Sequence, residues 1–384
     1  MGILPKTLEY FSNFTGRSLA ELDTEKEKGK KIAGVYCLFA PVELIRASGM
    51  IPVGLCGKKQ DPIAAAEQIL PSNLCPLIKS SYGFAITEKC PFFAISDIII
   101  GETTCDGKKK MFELMGQIKP VHTMHLPYAP TSESAVSFWL QEIIKLKEIL
   151  EKTSGNKIKQ EDVKHQIKLQ NEIRRLFQKI MSFFHDKTIS ISGMAMLPLM
   201  ESKSFFVNPE NYIEQLKTLI KEMEDLKNSG ALNSSSKRIL LTGTPVGKGS
   251  EKVVKLIEEC GGNVVCMENC TGIKTTYSLI DENEEDPLMA IAKWYLSIPC
   301  SCMSPNKGRM DLLEEFIKDF HIDGVVDLTW QFCHTYNIEA HTVKKLVEEK
   351  FKIPSIHIES DYSESDIGQL KVRIQAFMEI ISNK

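Results

Sequence analysis

The sequence predicts an α/β protein with two lobes, each built on a parallel sheet, and an additional helical segment between them. Short apolar runs alternate with helix-forming stretches in the first third of the chain, and this alternation returns at Arg238. Between these two parts, apolar residues recur at three- and four-residue spacing, which indicates amphipathic helices. Alternating strands and helices favour a parallel sheet. We therefore expect two Rossmann-like lobes with a ligand site between them.

The first lobe is predicted to span residues 1–130. Pro41 lies near the start of a helix-forming stretch and Gly49 ends it, which is the usual order of these residues at helix ends. The predicted strands are KIAGVYC, IPVGLC and SDIIIGETTC. The predicted helices are SLAELDTEKEKGKK, APVELIRASG, DPIAAAEQIL, SNLCPLIKSSYGFAI and GKKKMFELMG. Strand and helix alternate along this lobe, as a parallel sheet requires.

Residues 131–236 are predicted to form the helical segment. Its amphipathic stretches are FWLQEIIKLKEILEK, EDVKHQIKLQNEIRRLFQKIMSFF and NYIEQLKTLIKEMEDLK. The stretch KNSGALNSSSKR is rich in Gly, Asn and Ser and predicts a linker. Because amphipathic helices outside a lobe need something to cover their apolar faces, we expect contacts between protomers in this segment.

The second lobe is predicted to span residues 237–384. Its predicted strands are RILLTG, NVVCMEN, DGVVDLTWQFC and PSIHIESD. Its predicted helices are SEKVVKLIEECGG, DPLMAIAKWYLS, GRMDLLEEFIKDFHI, IEAHTVKKLVEEKF and the C-terminal stretch. The two lobes therefore share a plan of strand, cysteine and helix.

The composition excludes several classes of protein. Of the 384 residues, 43% are hydrophobic and 25% are charged, which provides a core and excludes a mainly disordered chain. The net charge of −3 gives no basic field for nucleic acid. No uninterrupted apolar stretch of about 20 residues exists to span a membrane. The N-terminal MGILPKTLEYFSNF lacks the features of a secretory signal, so we expect a cytoplasmic protein.

Eleven cysteines are the unusual feature of the composition. In a reducing cytosol, many cysteines indicate metal or redox chemistry more often than disulfides. Cys37, Cys105, Cys270 and Cys333 each follow the carboxyl end of a predicted strand, which is the edge where open parallel sheets bind ligands. Burial in the core is the alternative interpretation for any one of them.

Two further cysteines, Cys75 and Cys300, lie in loops beside proline, which makes three loop cysteines in each lobe. If the two sheet edges face one cleft, all six thiols meet there. Thiolates select zinc, Cu(I) or iron–sulfur clusters. Within each lobe these cysteines are 30 or more residues apart, whereas structural zinc sites use closely paired cysteines. The spacing favours a large cluster between the lobes, and the absent C-x₂-C-x₂-C run excludes a plain ferredoxin.

The other five cysteines are weaker candidates. We expect Cys56, Cys260 and Cys266 to be core residues, because they lie within apolar strands or at a helix end. Cys90 and Cys302 lie in loops near the six and are alternative ligands.

Seven segments of both lobes resemble the 2-hydroxyacyl-CoA dehydratase component family. They are VYCLFAPVELIRASGMIPVGLCG, NLCPLIKSSYGF, TTCDGKKKMFE, ENCTGIKT, PCSCMSPNKGRMDLL, LTWQFCHTYNIEAHTVKKLVEE and IESDYSESDIGQLKVRIQAFMEII. One branch of that family contains true dehydratase subunits, which each hold a [4Fe-4S] cluster and pair with a different subunit. The other branch contains double-cubane cluster proteins. With three loop cysteines in each lobe, this sequence is more similar to the second branch.

The resemblance implies an enzyme that reduces small molecules at low potential. Its electrons would come from a separate dimeric ATPase, an activator with its own [4Fe-4S] cluster, and the enzyme itself would be a homodimer. The resemblance implies a double-cubane [8Fe-9S] cluster with six ligands, which are Cys37, Cys75, Cys105, Cys270, Cys300 and Cys333. A dehydratase subunit with a [4Fe-4S] cluster and a non-catalytic cluster carrier stay open as alternatives. The natural substrate and the catalytic residues stay unassigned.

Several polar residues near the cysteines have two interpretations. Glu43 either compensates the dipole of its helix or donates protons beside the cluster. His334 either assists the cluster or is an ordinary loop residue. Lys108, Lys109 and Lys110 form either a solvated helix face or a docking patch. The turn GTPVGKGS does not match the spacing of a phosphate-binding loop, so we expect a glycine-rich turn and no ATP site there.

Overall fold

The computed structural model describes residues 4–383 and contains, within them, two four-stranded sheets. All strand pairs in both sheets are parallel, which confirms the predicted α/β fold with two Rossmann-like lobes. The strands are β1 (Ile32–Val35), β2 (Ile51–Gly54), β3 (Ile98–Glu102), β4 (Val121–Met124), β5 (Lys237–Gly243), β6 (Gly262–Glu268), β7 (Gly324–Trp330) and β8 (Ser355–Ser360).

Helices cover both sheets and fill the segment between them. They are α1 (Thr7–Ser12), α2 (Phe14–Glu27), α3 (Val42–Ala47), α4 (Ile63–Ala66), α5 (Pro76–Ile86), α6 (Pro91–Ile95), α7 (Asp106–Met115), α8 (Glu133–Ser154), α9 (Gln160–Ser182), α10 (Gly193–Ser202), α11 (Pro209–Asn228), α12 (Lys252–Glu259), α13 (Pro287–Leu296), α14 (Lys307–Asp319), α15 (His334–Lys345) and α16 (Ile367–Ser382). No helix in the described part of the chain is long and apolar enough to cross a membrane.

The two sheets have the same topology. The strand order is β2-β1-β3-β4 in the first sheet and β6-β5-β7-β8 in the second. In each sheet, the second strand (β2 or β6) pairs with one side of the first strand, and the third strand (β3 or β7) pairs with its other side. The topological switch points therefore lie between β1 and β3 in the first sheet and between β5 and β7 in the second. Loops at the carboxyl ends of these strands diverge and leave a crevice. The topology therefore provides one ligand-binding edge in each lobe.

Strand β4 has no counterpart among the sequence predictions. Its sequence, VHTM, forms the edge of the first sheet and is only half-buried along most of its length. An edge strand of four residues carries neither a continuous apolar run nor a clear alternation. The central strands β1 and β3 are buried at every position, and their apolar runs made them predictable.

The helical segment packs into the lobes of its own chain. Trp139 on α8 lies in one apolar cluster with Leu44 of the first lobe and Leu296 of the second. Phe177 on α9 lies in another with Leu312. The apolar faces of these helices are thus covered within the chain. The expectation that this segment forms contacts between protomers stays a prediction.

A buried ion pair joins the helical segment to both lobes. Nη2 of Arg174 on α9 donates to Oε1 of Glu43 on α3 at 2.6 Å. The hydroxyl of Tyr295 on α13 donates to Oε2 of the same carboxylate at 2.7 Å. Glu43 has no exposed surface, and the Arg174 guanidinium also lies 4.1 Å from the Trp294 ring centroid. One carboxylate therefore connects three parts of the chain.

Replacing this carboxylate should destabilise the whole fold. In Glu43→Ala, the buried guanidinium and the tyrosine hydroxyl lose their acceptor, and an uncompensated buried charge costs about 3–5 kcal/mol. In the control Glu214→Ala, an exposed pair with Lys217 is removed, and we expect a loss of less than about 1 kcal/mol. Urea unfolding followed by circular dichroism measures both. Equal shifts of the midpoint for the two variants would contradict the structural role of Glu43.

Candidate functional site

A cavity opens between the two sheet edges. Its empty volume is about 1210 Å³, including the open solvent at its mouth. Cys37 of the first lobe and Cys270 of the second lie in its wall. The helical segment contributes Arg174 and the stretch from Met200 to Phe206, so all three parts of the chain enclose the space. This is the position that the strand topology predicts for a ligand.

Three of the six predicted ligands, Cys37, Cys270 and Cys300, interact electrostatically with one another. Burial raises the pKa of Cys37 well above its usual value and that of Cys270 to about 12. The backbone of Cys37 has a φ of 70°, which residues other than glycine rarely adopt. Such backbone conformations concentrate at functional loops, where surrounding structure maintains them.

The other three, Cys75, Cys105 and Cys333, form a second group at the starts of α5, α7 and α15. The backbone N–H of Lys108 donates to Sγ of Cys105 at 3.4 Å. Burial, together with the nearby thiol of Cys333, raises the pKa of Cys75 to about 12. Burial likewise raises the pKa of Cys333 to about 11. A helix N-terminus favours a thiolate, so each of these positions suits a thiolate ligand of a metal.

The two groups adjoin, because Cys300 of the first acts electrostatically on Cys333 of the second. The structure thus brings the six predicted cysteines into one region, and each group combines cysteines from both lobes. Within residues 4–383, no three His, Cys, Asp or Glu side chains converge closely enough to bind one metal ion. Of the six, Cys37 and Cys270 lie in the wall of the cavity.

Two cysteines outside the predicted set also lie at the site. Cys302 shares a hydrogen bond with Cys300, which lowers the pKa of Cys300 to about 5 and raises that of Cys302. Cys56, which we expected in the core, instead lines the cavity and acts electrostatically on Cys270. Its position just after β2 matches the rule that identified the other strand-end cysteines, so the sequence did carry the signal.

Lys108 corrects the interpretation of the lysine run as a solvated helix face. Its side chain is buried, whereas Lys109 and Lys110 are exposed and pair with acidic residues of their own helix. Burial alone would lower the pKa of Lys108, but Cys37 and Glu102 raise it above its usual value. A permanent positive charge therefore lies beside the first cysteine group.

A second buried lysine, Lys274, places a positive charge beside the cysteines of the second lobe. The sequence analysis did not identify it. Its Nζ lies 2.8 Å from Oε1 of Glu268, and Arg309 Nε lies 3.3 Å from Oε2. None of these three side chains has exposed surface. The ammonium of Lys274 lowers the pKa of Cys270 and of Cys300, opposing the effect of burial. Each lobe thus directs one buried cation at the thiols.

Glu102, at the end of β3, is the least satisfied polar group of the site. It is fully buried, and neither carboxylate oxygen has a hydrogen bond of normal geometry. Burial raises its pKa to about 8, although Lys108 and the backbone of Ala40 oppose this rise. The protonated form is therefore favoured at neutral pH.

The remaining candidates have simpler roles. Glu43 does not cap its helix, and both of its oxygens are engaged by Arg174 and Tyr295. His334 begins α15 and is exposed.

The glycine-rich turn after β5 satisfies its backbone donors internally. The N–H of Lys248 donates to Glu201 and that of Gly247 to Ser250. At Gly243, with a φ of 105°, a Cβ atom would lie 2.1 Å from the Leu328 carbonyl oxygen of β7. The glycine permits close strand packing, in agreement with the prediction of a structural turn.

The donor set fits an iron–sulfur cluster. Six thiols, two helix N-termini free of side-chain caps and two buried lysines face one region of the structure. Burial raises the pKa of most of these thiols, so metal coordination is the interaction that would hold them as thiolates. The residues that would hold the cluster are the six cysteines, with Cys302 as an alternative.

The chain is similar to known proteins along almost its whole length. It is 40% identical over 381 residues to a protein of Escherichia coli (strain K12) provisionally named as the dehydratase subunit YjiM, covering 98% of both chains. It is 24% identical to the (R)-phenyllactyl-CoA dehydratase beta subunit of Clostridium sporogenes, covering 93% of each. It is 21% identical to a benzoyl-CoA reductase subunit of Thauera aromatica, covering 92% of this chain and 90% of the relative.

A family model described as "2-hydroxyglutaryl-CoA dehydratase, D-component" matches residues 37–381. The match begins at the first predicted ligand and includes both lobes and the helical segment. Together with the parallel sheets and the cavity between their carboxyl ends, it shows that this chain belongs to the 2-hydroxyglutaryl-CoA dehydratase D-component family, whose members are dehydratases and reductases.

Proposed function

We propose that this protein is a metalloenzyme with a double-cubane [8Fe-9S] cluster, which reduces small molecules in the adjacent cavity. The proposed ligands are Cys37, Cys75, Cys105, Cys270, Cys300 and Cys333. Electrons would come from a separate ATP-hydrolysing reductase with its own [4Fe-4S] cluster.

One observation carries the proposal: the six cysteines form two adjoining groups of three, and each group contains residues of both lobes. A single [4Fe-4S] cluster uses four ligands at most, so it would leave at least two of these thiols without a role. Two joined cubanes with three cysteines each would use all six, and only Cys56 and Cys302 of the cysteines at the site would stay outside the ligand set. This count favours the double-cubane branch over a dehydratase subunit with one [4Fe-4S] cluster.

The residues around the thiols suit a redox role. When bound, a cluster of this kind would supply single electrons at low potential. Lys108 and Lys274 offset part of the negative charge of the thiolates, and the surrounding charge and hydrogen bonds set the potential. Cys37 and Cys270 lie in the cavity wall, so a molecule bound in the cavity would contact the ligand side chains directly.

The glycine-rich turn of this chain also supports the assignment of ATP hydrolysis to a separate protein. This turn, from Gly243 to Ser250, differs from a phosphate-binding loop in spacing, and the side chains of Ser250, Glu201 and Glu251 accept hydrogen bonds from three of its N–H groups. A homodimer stays a prediction, which light scattering on the purified protein would measure.

Metal content tests the cluster directly. From a preparation made without oxygen, we expect about eight irons and about nine acid-labile sulfides per chain, since the cluster formula sets these numbers. About four irons would assign the protein to the dehydratase subunits and start a search for a companion subunit. Zinc, or no metal at all, would contradict both cluster assignments.

Cysteine variants test the ligand set. Cys270→Ala and Cys300→Ala should each lose much of the iron, because each removes a direct ligand. Cys260→Ala is the matched control: Cys260 packs against the core away from the cavity, so the variant should keep its iron and lose only packing stability. Full iron and sulfide content in either of the first two variants would refute the six-ligand proposal.

Turnover tests the catalytic role against a cluster carrier. With the partner ATPase, ATP and a reductant, we expect acetylene to take up two electrons and two protons and form ethylene. Gas chromatography measures the product, and omission of ATP or of the partner should abolish it. A protein with eight irons that reduces neither acetylene, azide nor hydrazine would favour the non-catalytic carrier.

A further inference from the structure

The cavity that contains Cys37 and Cys270 has an unbalanced charge. Four cationic side chains line it, together with one carboxylate; they are Arg46, Lys58, Arg174, Lys203 and Glu201. Two of the cations are neutralised within the protein. Lys58 pairs with Glu201, and Arg174 pairs with Glu43.

Lys203 has no carboxylate partner among the described residues. Its Nζ donates to the carbonyl oxygen of Gly272 and lies 5.3 Å from the ring centroid of Phe177. The nearest acid of the cavity, Glu201, is already engaged, since it pairs with Lys58 and accepts the N–H of Lys248. Lys203 therefore lines the cavity without a carboxylate partner, and Cys270 is the acidic group that acts on it electrostatically.

Arg46 is a second cation of the cavity lining that has no carboxylate at ion-pair distance among the described residues. Its guanidinium donates to the carbonyl oxygens of Phe206 and Val207 at 2.7 and 3.2 Å and stacks on the Phe206 ring at 4.3 Å. Its Nε is buried and has no hydrogen-bond partner. Glu43 and Glu210 act on it only through longer-range electrostatics. A planar guanidinium held rigidly by its backbone and ring contacts suits a carboxylate.

The rest of the lining is largely apolar and aromatic. Pro52, Val53, Phe205, Phe206 and Trp294 line the same cavity as the two cations. An inorganic anion would leave these surfaces wet, whereas a carboxylate with a short hydrocarbon chain would cover them and gain the free energy of their burial.

We propose that the cavity binds a small monocarboxylate, with its charge at Lys203 and Arg46 and its hydrocarbon chain against the aromatic wall. This inference rests on the proposed function in taking the cavity as the substrate site, and it names the class of molecule held beside the cysteines. The two cations without carboxylate partners would favour a negatively charged ligand, and the aromatic wall would favour one with an apolar chain.

Isothermal titration calorimetry on the anaerobically purified full chain tests this, with butyrate, neutral butyramide and inorganic phosphate as probes. Burial lowers the pKa of Lys203 to about 7, so the titrations are run at about pH 6, where butyrate is ionised and phosphate is a monoanion. We expect butyrate to bind, and butyramide and phosphate each to bind at least about tenfold more weakly, which corresponds to about 1.4 kcal/mol.

Two variants test whether butyrate binds in this cavity. Lys203→Met keeps the length of the side chain and removes its charge, and Arg46→Gln provides a second test if the first variant fails to fold. Each should weaken butyrate at least about tenfold. Lys221→Met, on the exposed surface of α11, is the matched control and should bind butyrate like the unmodified protein.

Three results would overturn the inference: no heat of binding with butyrate, equal affinity for butyrate and butyramide, or folded variants that bind butyrate as tightly as the unmodified chain. Equal affinity for phosphate would replace it with a site for inorganic anions. Because the readout is binding, its outcome is separate from the iron content and the turnover that test the proposed function.

Discussion

The positions of four of the six predicted ligands, Cys37, Cys105, Cys270 and Cys333, depend on one constraint, the parallel direction of all strands in both sheets. Parallel strands direct all their carboxyl ends to one edge, so the loops after β1, β3, β6 and β7 carry their cysteines to two edges only. The two edges face each other, and the Glu43–Arg174 pair holds the helical segment against both lobes. An antiparallel pair would send every second loop to the far side and separate the thiols.

This arrangement concentrates groups that are costly to bury. Thiolates lose hydration in such a site, and burial accordingly raises the pKa of Cys37, Cys75 and Cys270. Lys108 and Lys274 oppose that effect from the two lobes. Lys274 pairs with Glu268 and donates to the Tyr336 hydroxyl, and Glu102 acts on Lys108 electrostatically, so each lobe keeps a buried positive charge near the cysteines.

Much of the fold and part of the site could be predicted from the sequence, and the failures have physical causes. Apolar runs identified the buried central strands, but β4 lies at an edge and carries no such run. The strand-end rule identified Cys37 and Cys333, and the same rule applied strictly would have added Cys56. Lys108 was misassigned because a run of three lysines does not reveal that one faces inwards. The helical segment was correctly identified, yet its packing partners within the chain depend on tertiary contacts that periodicity does not encode.

The two cysteine groups differ in their surroundings: one group borders the cavity, and the other reaches the protein surface. Cys37 and Cys270 of the first group line the cavity, together with Lys203 and Arg46, which have no carboxylate at ion-pair distance among the described residues. Cys105 of the second group is exposed, and the neighbouring loop carries the exposed Phe332 and His334. A redox group held by all six thiols would extend from the protein surface to the cavity wall. Under the proposed function, electrons from a partner on the surface would then have a short path to a molecule in the cavity. A cluster held by one group alone would reach only one of these two environments.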